Sequence, residues 1–415
     1  MRQILIVRGV TDNERIQQIV ARMRLTLIPF LLIASGGPGF TAGREVIPQS
    51  LTENSPICTT TETAPEIGRL FRRNGSWVGG DVAESVPLGN GRVLWLFGDS
   101  LLGSISGSHR RISAIVNNSV AIQKGTDPQK ATMEFYAGSN GGIPSAFIRP
   151  ERGGGWFWLS HGGIRIGGSL YLFMPRLQRI GNESSVWGFR TDGVFMSRIS
   201  NPDAVPDRWI IRQFRLPWFH RDSTGNERYF GISPLQDGKW IYIFGVDYSK
   251  NTGRRNLLIS RVKPGDLERF SSWEFYAEGR WQKNFMKASG LCPHVGAEFS
   301  IKRLSSYGKY VLITTDDGLS DKIMMRLADS PEGPWGPPAI IYQAPEPRRD
   351  PSLICYAAKA HPEIKRRSDE LIVSYVCNSQ DPRKLTSDAH IYFPEFVRVR
   401  FLTPPIRSHP GSVIP

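Results

Sequence analysis

The sequence predicts an all-β protein, a five-bladed β-propeller of four-stranded antiparallel blades. The chain contains 42 Gly and 30 Pro in 415 residues, and 11% of its residues are aromatic. Such a composition is rich in turns and in strand-forming side chains. Long amphipathic helical stretches are scarce after residue 50. The third and decisive observation is one repeated unit, found five times at spacings of roughly 60 to 77 residues.

Each unit centres on a strongly apolar strand that follows a turn rich in Gly, Asn, Asp or Ser. These second strands begin at Val93, Ser169, Lys239, Lys309 and Glu370. Each has a candidate first strand before it and a third strand after it, and three units show a fourth strand: WIIRQFRL, SWEFYAEG and PPAIIYQ. Four strands per unit are typical of propeller blades. The alternative is a β-sandwich with accidental spacing.

Ring closure needs a strand from the start of the domain. The segment EIGRLFRRN precedes the first unit, and we predict that it supplies the last strand of the fifth blade. The propeller is therefore assigned to residues 60–405 as a single domain.

Residues 1–45 are predicted to form an N-terminal extension with a secretory signal peptide. From Met23 a basic start is followed by an apolar run, Leu25 to Ala34, and then by small residues, which is the order found in signal peptides. Export to the periplasm or the medium follows, with no stable membrane insertion after cleavage. An uncleaved membrane anchor is the alternative.

The cysteines fit an oxidising compartment. Cys355 and Cys377 flank a predicted hairpin, so a cross-strand disulfide between them is possible, although three pairings of Cys58, Cys292 and these two exist. No C-x-x-C metal spacing occurs, and we predict no cofactor and no metal ligands, while a structural Ca²⁺ in the channel stays open.

The net charge of +14 favours a polyanionic neighbourhood. The Lys and Arg residues are nevertheless dispersed in short clusters, and no basic helix or RNA-binding motif occurs. A solvated surface, a monomer and no nucleic-acid partner are therefore predicted.

Two aspartates flank the first predicted hairpin, GGDVAESVPLGNGRVLWLFGDS. Folding the chain about Asn90 places Asp81 opposite Asp99, and a two-residue loop shifts the register by one and leaves them neighbours. Because like charges on paired strands are destabilising, the pair indicates function. In a propeller, first strands line the channel and begin at one mouth, where second strands end, so both carboxyls point to that mouth.

Paired carboxyls shift apart in pKa, which allows one to act as an acid while the other acts as a base or nucleophile. Glycoside hydrolysis needs this combination, with carboxyls about 5–5.5 Å apart for retention and about 6.5–9.5 Å apart for inversion. Directly opposed strand positions favour retention. The alternative is structural: Asp81 caps a turn and Asp99 locks a blade.

Other polar and aromatic side chains fall at the same mouth when the repeats are aligned. Glu298 could replace either aspartate as the catalytic acid, His161 could be a hydrogen-bonded structural residue instead of a ligand, and aromatic packing competes with sugar stacking for Trp158. The candidate substrate-binding residues are Asn118, Trp158, His161, Asp247, Glu298 and Asn378.

The chain resembles a bacterial family long labelled a domain of unknown function and now associated with endo-acting hydrolysis of D-arabinan. The resemblance covers most of residues 65–403. It rests on Gly80-Asp81 followed by SVPL-x-x-GR-x-LWLFGDS, and on NNSVAIQ, GGSLYLF, CYAAKAHPEI and FVRVRFL. It implies a five-bladed propeller and two essential aspartates, here Asp81 and Asp99. The resemblance does not settle their roles, and we assign Asp81 as acid/base and Asp99 as nucleophile. Ser100 replaces the usual Thr, and GSHRRIS and FIRPERGGG differ from the family, so the sugar recognised may differ too.

Two functions from different classes follow. The first is an exported glycoside hydrolase acting on a polysaccharide such as D-arabinan, and the second is a non-catalytic propeller that binds envelope glycan or protein. Asp-to-Asn changes discriminate them, since binding tolerates such changes better than acid/base chemistry. A sialidase is a weaker third option because the Ser-x-Asp-x-Gly-x-Thr-Trp boxes are missing.

Overall fold

A five-bladed β-propeller with antiparallel blades is the architecture of this chain, which confirms the predicted fold class. The computed structural model describes residues 59–72, 75–180, 188–364, 367–379 and 381–402. The predicted signal peptide and Cys58 lie outside these ranges. None of the helices in the described ranges is long and apolar enough to cross a membrane.

The first two blades contain the following strands, and each hydrogen-bonds its neighbours in the order given. Blade one consists of β2 (Trp77–Gly89), β3 (Arg92–Ser106), β5 (Ser119–Lys124) and β6 (Thr132–Tyr136), with β4 (His109–Val116) paired to β3. A separate hairpin follows, β7 (Gly138–Asn140) and β8 (Ile143–Ser145). Blade two consists of β10 (Gly163–Ile166), β11 (Ser169–Arg179), β12 (Phe189–Ile199) and β13 (Ile211–Arg215), with β9 (Trp156–Phe157) paired to β11.

The remaining blades complete the ring. Blade three consists of β14 (Phe219–Arg221), β15 (Glu227–Asp237), β16 (Trp240–Tyr248), β17 (Arg255–Val262), β18 (Glu274–Ala277) and β19 (Arg280–Gln282). Blade four consists of β20 (Phe299–Leu304), β21 (Lys309–Thr315), β22 (Lys322–Ala328) and β23 (Ala339–Gln343). Blade five consists of β24 (Leu353–His361), β25 (Glu370–Ser379), β26 (Pro394–Phe401) and β1 (Thr59–Thr63). The helices are α1 (Pro65–Arg72), α2 (Glu346–Arg349) and α3 (Lys384–Ser387).

The second strands are apolar without alternation because both of their faces are covered by neighbouring blades. Every residue of β25 is buried, and so are six consecutive residues of β16, Ile241 to Val246. A strand buried on both faces needs an apolar run, whereas a half-exposed strand would alternate. The five predicted second strands are all present, and each lies between the first and the third strand of its blade.

The strand that closes the ring is not the predicted one. Residues 66–72 of EIGRLFRRN lie in helix α1, and the closing strand is β1, which pairs antiparallel with β26 from Thr59↔Phe401 to Thr63↔Val397. The apolar residues Ile67, Leu70 and Phe71 recur with helical spacing, so they form one buried face. The Thr-rich TTTET segment suits an edge strand better, since its side chains are β-branched.

The five first strands contact one another in a closed ring around the channel, in the order β2, β10, β15, β20, β24 and back to β2. Three of them are bulged near the mouth: β2 around Val82, β15 between Phe230 and Ser233, and β24 between Tyr356 and Lys359. A bulge adds a residue to one strand and re-aims its side chains. These irregularities turn polar side chains of the first strands into the channel.

A disulfide joins Cys355 on β24 to Cys377 on β25, which is one of the pairings that the sequence left open. The two residues are direct register partners with Cα atoms 4.1 Å apart. Both are buried, and Cys292 is buried and free. The bond closes a sequence separation of 22 residues within the blade that also holds β1.

The first prediction concerns this bond. Cys355→Ser/Cys377→Ser should lose about 3 kcal/mol of unfolding free energy, because a disulfide that closes a loop of this length restricts the unfolded chain by that order. Chemical denaturation measures it. Reductant should destabilise the wild-type protein and leave the double variant unchanged. Equal stability of the two oxidised proteins would contradict the prediction.

Candidate active site

Asp81 and Asp99 meet at the mouth of the channel, but they are not directly opposed. The turn of the hairpin contains only Asn90 and Gly91, since Gly89 pairs with Arg92. From the turn to Gly80 the pairing is irregular at three places, between Gly89 and Pro87, between Glu84 and Val82, and between Val82 and Gly80. The predicted register is present at Val86↔Leu94 and again at Gly80↔Ser100, but Asp81 and Asp99 fall within the last irregularity and are not paired with each other. The prediction that the two acids remain neighbours is correct, since Asp81 is close enough to raise the pKa of Asp99 electrostatically.

The backbone that follows Asp81 is strained. Val82 and Ala83 have φ values of 77° and 55°, a region that a β-branched residue such as valine rarely adopts. Strain of this kind costs roughly 1–3 kcal/mol for each residue and clusters at functional sites. The two strained residues directly follow Asp81, whose carboxyl lies in the channel mouth.

Gly98, which precedes Asp99, leaves the space that the Asp81 side chain occupies. A Cβ at position 98 would lie 2.3 Å from Asp81 Oδ1 and 1.8 Å from Trp158 Nε1. Only glycine fits there. The Gly-Asp-Ser sequence at the end of β3 thus provides both the second carboxyl and the gap that admits the first.

The Asp81 carboxyl is 4% exposed and accepts several hydrogen bonds. The Tyr356 hydroxyl donates to Oδ2 at 3.0 Å, and the Trp158 indole N–H donates to Oδ1 at 3.5 Å. Burial raises the pKa of Asp81 to about 6, and the hydrogen bonds from Tyr356, Trp158 and Tyr392 oppose this rise. Its ionised form is therefore the one that the surrounding donors stabilise.

Asp99 has a different environment. It is 6% exposed, and burial together with the negative charge of Asp81 holds its pKa well above the ordinary value. Asn117 opposes the shift by donating its side-chain N–H to Oδ1 at 3.3 Å. Because it has fewer donors and a like charge beside it, Asp99 is the carboxyl of the pair that retains its proton.

Glu298, immediately before β20, brings a third carboxyl to this mouth. It is 7% exposed, and its Oε1 is buried without a hydrogen-bond partner among the described residues. Its pKa is raised to about 8, chiefly by burial and also by the charge of Asp81, while the charges of Lys359 and Arg255 oppose the rise. Its charge also raises the pKa of Tyr356, which places Glu298 beside the Asp81 partners.

His161 lies deep in the same region, before β10. It is 2% exposed, and its ring stacks on that of Tyr229 with centroids 6.2 Å apart. Its Nδ1 has no hydrogen-bond partner within the described ranges. Burial and the charge of Lys359 lower the pKa of His161 to about 3, so the imidazole is neutral.

The other predicted binding residues divide into two groups. Asn378 hydrogen-bonds Tyr356 and so belongs to the site. Asn118 does not offer its side chain to a ligand: both amide N–H groups are donated to the Ile148 and Phe157 carbonyls, and its oxygen accepts from the Ile148 N–H. Its role is to anchor the β8–β9 connection.

Asp247 lies apart from the hydrogen-bonded cluster around Asp81. Its two oxygens accept from Arg228, its register partner across β15 and β16, at 3.1 and 3.0 Å. That bidentate ion pair occupies the carboxylate.

Tyr392 is the functional residue that sequence reasoning missed. It precedes β26, has a φ of 61°, and is fully buried. Its hydroxyl donates to the Asp99 carbonyl at 3.0 Å and also hydrogen-bonds the Asp81 side chain. Its own carbonyl accepts from the Gly80 N–H at 2.9 Å. No local motif signals this contact, because it crosses from blade five to blade one where the ring closes.

The residues 66–401 match the model of a family described as a domain of unknown function, DUF5005. The chain belongs to this family. No curated protein sequence matches it. Among solved structures, a hydrolase candidate from Bacteroides ovatus ATCC 8483 superposes with a TM-score of 0.63 at 17% identity, covering 82% of this chain and 90% of that one. This similarity shows that the two share a fold.

More distant structures have TM-scores too low to support an argument. An exo-β-1,3-galactanase from Phanerochaete chrysosporium superposes at 0.41 with 11% identity, covering 84% of this chain and 67% of that one. A GH43_1 enzyme from Xanthomonas citri, complexed with xylose, superposes at 0.37 with 11% identity, covering 84% and 95%. The side chains of this DUF5005 propeller are therefore the evidence for its chemistry.

The second prediction is that Gly98→Ala disrupts the mouth. The new Cβ has to displace Asp81 and Trp158, and overpacking of this kind costs about 1–3 kcal/mol. Thermal unfolding and tryptophan fluorescence should both change. Gly168→Ala is the matched control, since nothing lies within 4 Å of its added Cβ. An unaltered Gly98→Ala protein would show that the gap is not needed.

The third prediction concerns stability and pH. Because the folded-state pKa values of Asp81 and Asp99 lie above those of the unfolded chain, both groups favour the folded state when protonated, and stability falls as pH rises through those values. At pH 7, Asp81→Asn and Asp99→Asn should therefore be more stable than wild type, by on the order of 1–3 kcal/mol.

Denaturant titrations at pH 4 and pH 7 measure this effect. The gain should shrink at pH 4, where the wild-type carboxyls carry protons. Asp329→Asn, at an aspartate with an 81% exposed side chain, serves as the control and should show no such gain. Variants that are less stable than wild type at pH 7 would show that burial of the two carboxyls does not destabilise the folded protein.

Proposed function

We propose that this protein is a glycoside hydrolase that cleaves a polysaccharide at the propeller mouth, using Asp81 and Asp99. The observation that carries the proposal is the unequal pair: two adjacent buried carboxyls, one held ionised by donors from Tyr356 and Trp158, the other kept protonated by its neighbour's charge. An acid and a base in one site are what glycosidic cleavage needs. A structural role does not require two like charges together.

The environments suggest how the roles divide. Asp99 keeps its proton and is the donor to the glycosidic oxygen, while Asp81 is the carboxylate that attacks the anomeric carbon or removes a proton from water. This is the reverse of the roles that we assign from the sequence. The reason is electrostatic, since Asp81 accepts hydrogen bonds from three side chains and Asp99 from Asn117.

Retention was predicted from direct opposition of the two aspartates, and the bulges at Gly80 and Val82 remove that premise. In a retaining reaction, Asp81 forms a glycosyl ester as Asp99 protonates the leaving group, and Asp99 then deprotonates the water that cleaves the ester. In an inverting reaction, Asp81 takes the proton of the attacking water directly. The anomeric form of the first product distinguishes the two.

The groups around the pair are suited to a sugar. The Trp158 ring is half-buried beside Asp81 and offers a face for stacking. Glu298 and His161 each keep a polar atom without a partner among the described residues. A sugar hydroxyl can donate a hydrogen bond to the Glu298 carboxylate, and another can donate to or accept from the His161 ring nitrogen. We propose a furanoside polymer such as D-arabinan as the substrate, on the strength of the family resemblance.

Export fits the same proposal. The Cys355–Cys377 disulfide is a bond that persists in oxidising compartments, and the N-terminal 1–45 segment carries the signal-peptide pattern. We propose a periplasmic or secreted monomer that meets its polysaccharide outside the cytoplasm.

The fourth prediction tests hydrolysis. Wild type, Asp81→Asn, Asp99→Asn and the control Asp329→Asn are incubated with purified polysaccharides that include D-arabinan and L-arabinan, and released oligosaccharides are quantified. Wild type and control should release products from one polymer. Each active-site variant should lose at least about a hundredfold in rate, as expected for a general acid or base. Proton NMR of the first product reports its anomeric configuration.

Two outcomes would contradict the proposal. Full activity in either active-site variant would remove that aspartate from the reaction. Absence of product from every polymer, with glycan binding retained by all four proteins, would leave a non-catalytic glycan-binding propeller.

A further inference from the structure

A buried lysine crosses the channel just behind the acid pair. Lys359 belongs to β24, three residues beyond Tyr356, and its side chain is fully buried. Its ammonium donates to the Ser160 carbonyl at 2.9 Å and to the Phe299 carbonyl at 3.1 Å. These acceptors belong to blades two and four, so one side chain from blade five ties three blades together.

The two acceptors are sequence neighbours of site residues. Ser160 immediately precedes His161, and Phe299 immediately follows Glu298. His161 and Glu298 are also the two mouth residues whose buried polar atoms have no partner in the described part of the chain. The ammonium of Lys359 therefore fixes the backbone at the two points from which these side chains project.

The charge of Lys359 is only partly balanced. Its nitrogen lies 3.6 Å from Glu84 Oε2, and Glu84 Oε1 accepts a hydrogen bond from Lys302 at 2.8 Å. Glu84 is thus within reach of two lysines, and Glu363 also acts electrostatically on Lys302. A buried charge costs several kcal/mol, and a well-packed apolar side chain would serve a purely structural role at less cost.

We propose that Lys359 is a positioning residue of the active site, which acts through the Ser160 and Phe299 carbonyls to hold His161 and Glu298 and through its charge to keep Glu298 ionisable. Its role in turnover rests on the proposed function. Its effect on Glu298 does not, since that effect is a property of the folded protein alone.

The groups that face these two residues come from every surrounding blade. Lys359 faces Glu84, Glu298, Lys302, His161 and His361. Glu298 faces Lys359, Asp81 and Arg255, with Tyr229 and Tyr356 beside it. Lys359 and Arg255 are the cations acting on Glu298, and of these Lys359 also bonds the adjoining Phe299 carbonyl.

The fifth prediction measures Glu298 directly. Protein labelled with ¹³C at the glutamate carboxyl is titrated by NMR, and the resonance absent from Glu298→Gln identifies Glu298. Lys359→Met should raise its titration midpoint by about one pH unit or more, because a cation near a carboxylate favours the ionised form by that order. Lys302→Met is the matched control, a second channel lysine that bonds Glu84 and neither carbonyl, and should leave the midpoint nearly unchanged.

A companion variant guards against misfolding. Lys359→Met/Glu84→Gln removes one negative charge together with the positive one, so the net charge of the channel is unchanged, and it should show the same raised midpoint. An unmoved Glu298 midpoint in a folded Lys359 variant overturns the inference. So does an equal shift in Lys302→Met.

Activity adds a second, separable readout. On the polymer that wild type cleaves, Lys359→Met should lower kcat/KM at least about tenfold, and the loss should shrink in a Glu298→Gln background, as coupled residues require. A purely structural lysine would cost the same in both backgrounds, which would overturn the positioning role. A wild type that cleaves nothing while the Glu298 midpoint still moves would refute the proposed function and leave the effect of Lys359 on Glu298 intact.

Discussion

Closure of the ring between blades five and one is the constraint on which the site depends. The last sheet is incomplete until β1 pairs with β26, and Phe71 of α1 then packs on Phe396 with ring centroids 5.2 Å apart. At the mouth, the Tyr392 carbonyl accepts from Gly80 and its hydroxyl donates to the Asp99 carbonyl. The junction that closes the fold is also the junction that positions both aspartates.

The closed ring creates the low-dielectric environment that makes the acids useful. Asp81, Asp99 and Glu298 all become nearly inaccessible to water, and burial is the largest cause of the raised pKa of each. What separates them is the set of neighbours: hydrogen-bond donors at Asp81, a like charge at Asp99, and a lysine at Glu298. The fold tolerates this concentration of acids because cations deeper in the channel partly compensate it.

Polar and charged side chains also pair with one another deeper in the channel. His361 is fully buried, with Ser85 and Ser374 hydroxyls within hydrogen-bond distance of its two ring nitrogens. Lys302, Glu84 and Lys359 occupy the same interior. A propeller channel thus allows ionisable groups to be buried in mutual contact, because the first strands β2, β20 and β24 contribute these side chains and backbone carbonyls of neighbouring blades supply acceptors.

The sequence alone is enough to predict the number and position of the blades, because apolar strands buried on both faces and the turns between them are local patterns that recur five times. It also determined the acid pair, since Gly98-Asp99 and Gly80-Asp81 lie on one hairpin. Only the folded chain shows that the irregular pairing between Gly80 and Val82 leaves Asp81 and Asp99 outside the ladder of paired residues, and that residues 66–72 of EIGRLFRRN form a helix and not a strand. Likewise, only the folded chain shows that the Asn118 side chain is hydrogen-bonded to the backbone of Ile148 and Phe157. It also shows that the Asp247 carboxylate is paired with Arg228. Tyr392 and Lys359 reach the site across blade boundaries, and contacts between residues so far apart in the chain leave no local trace.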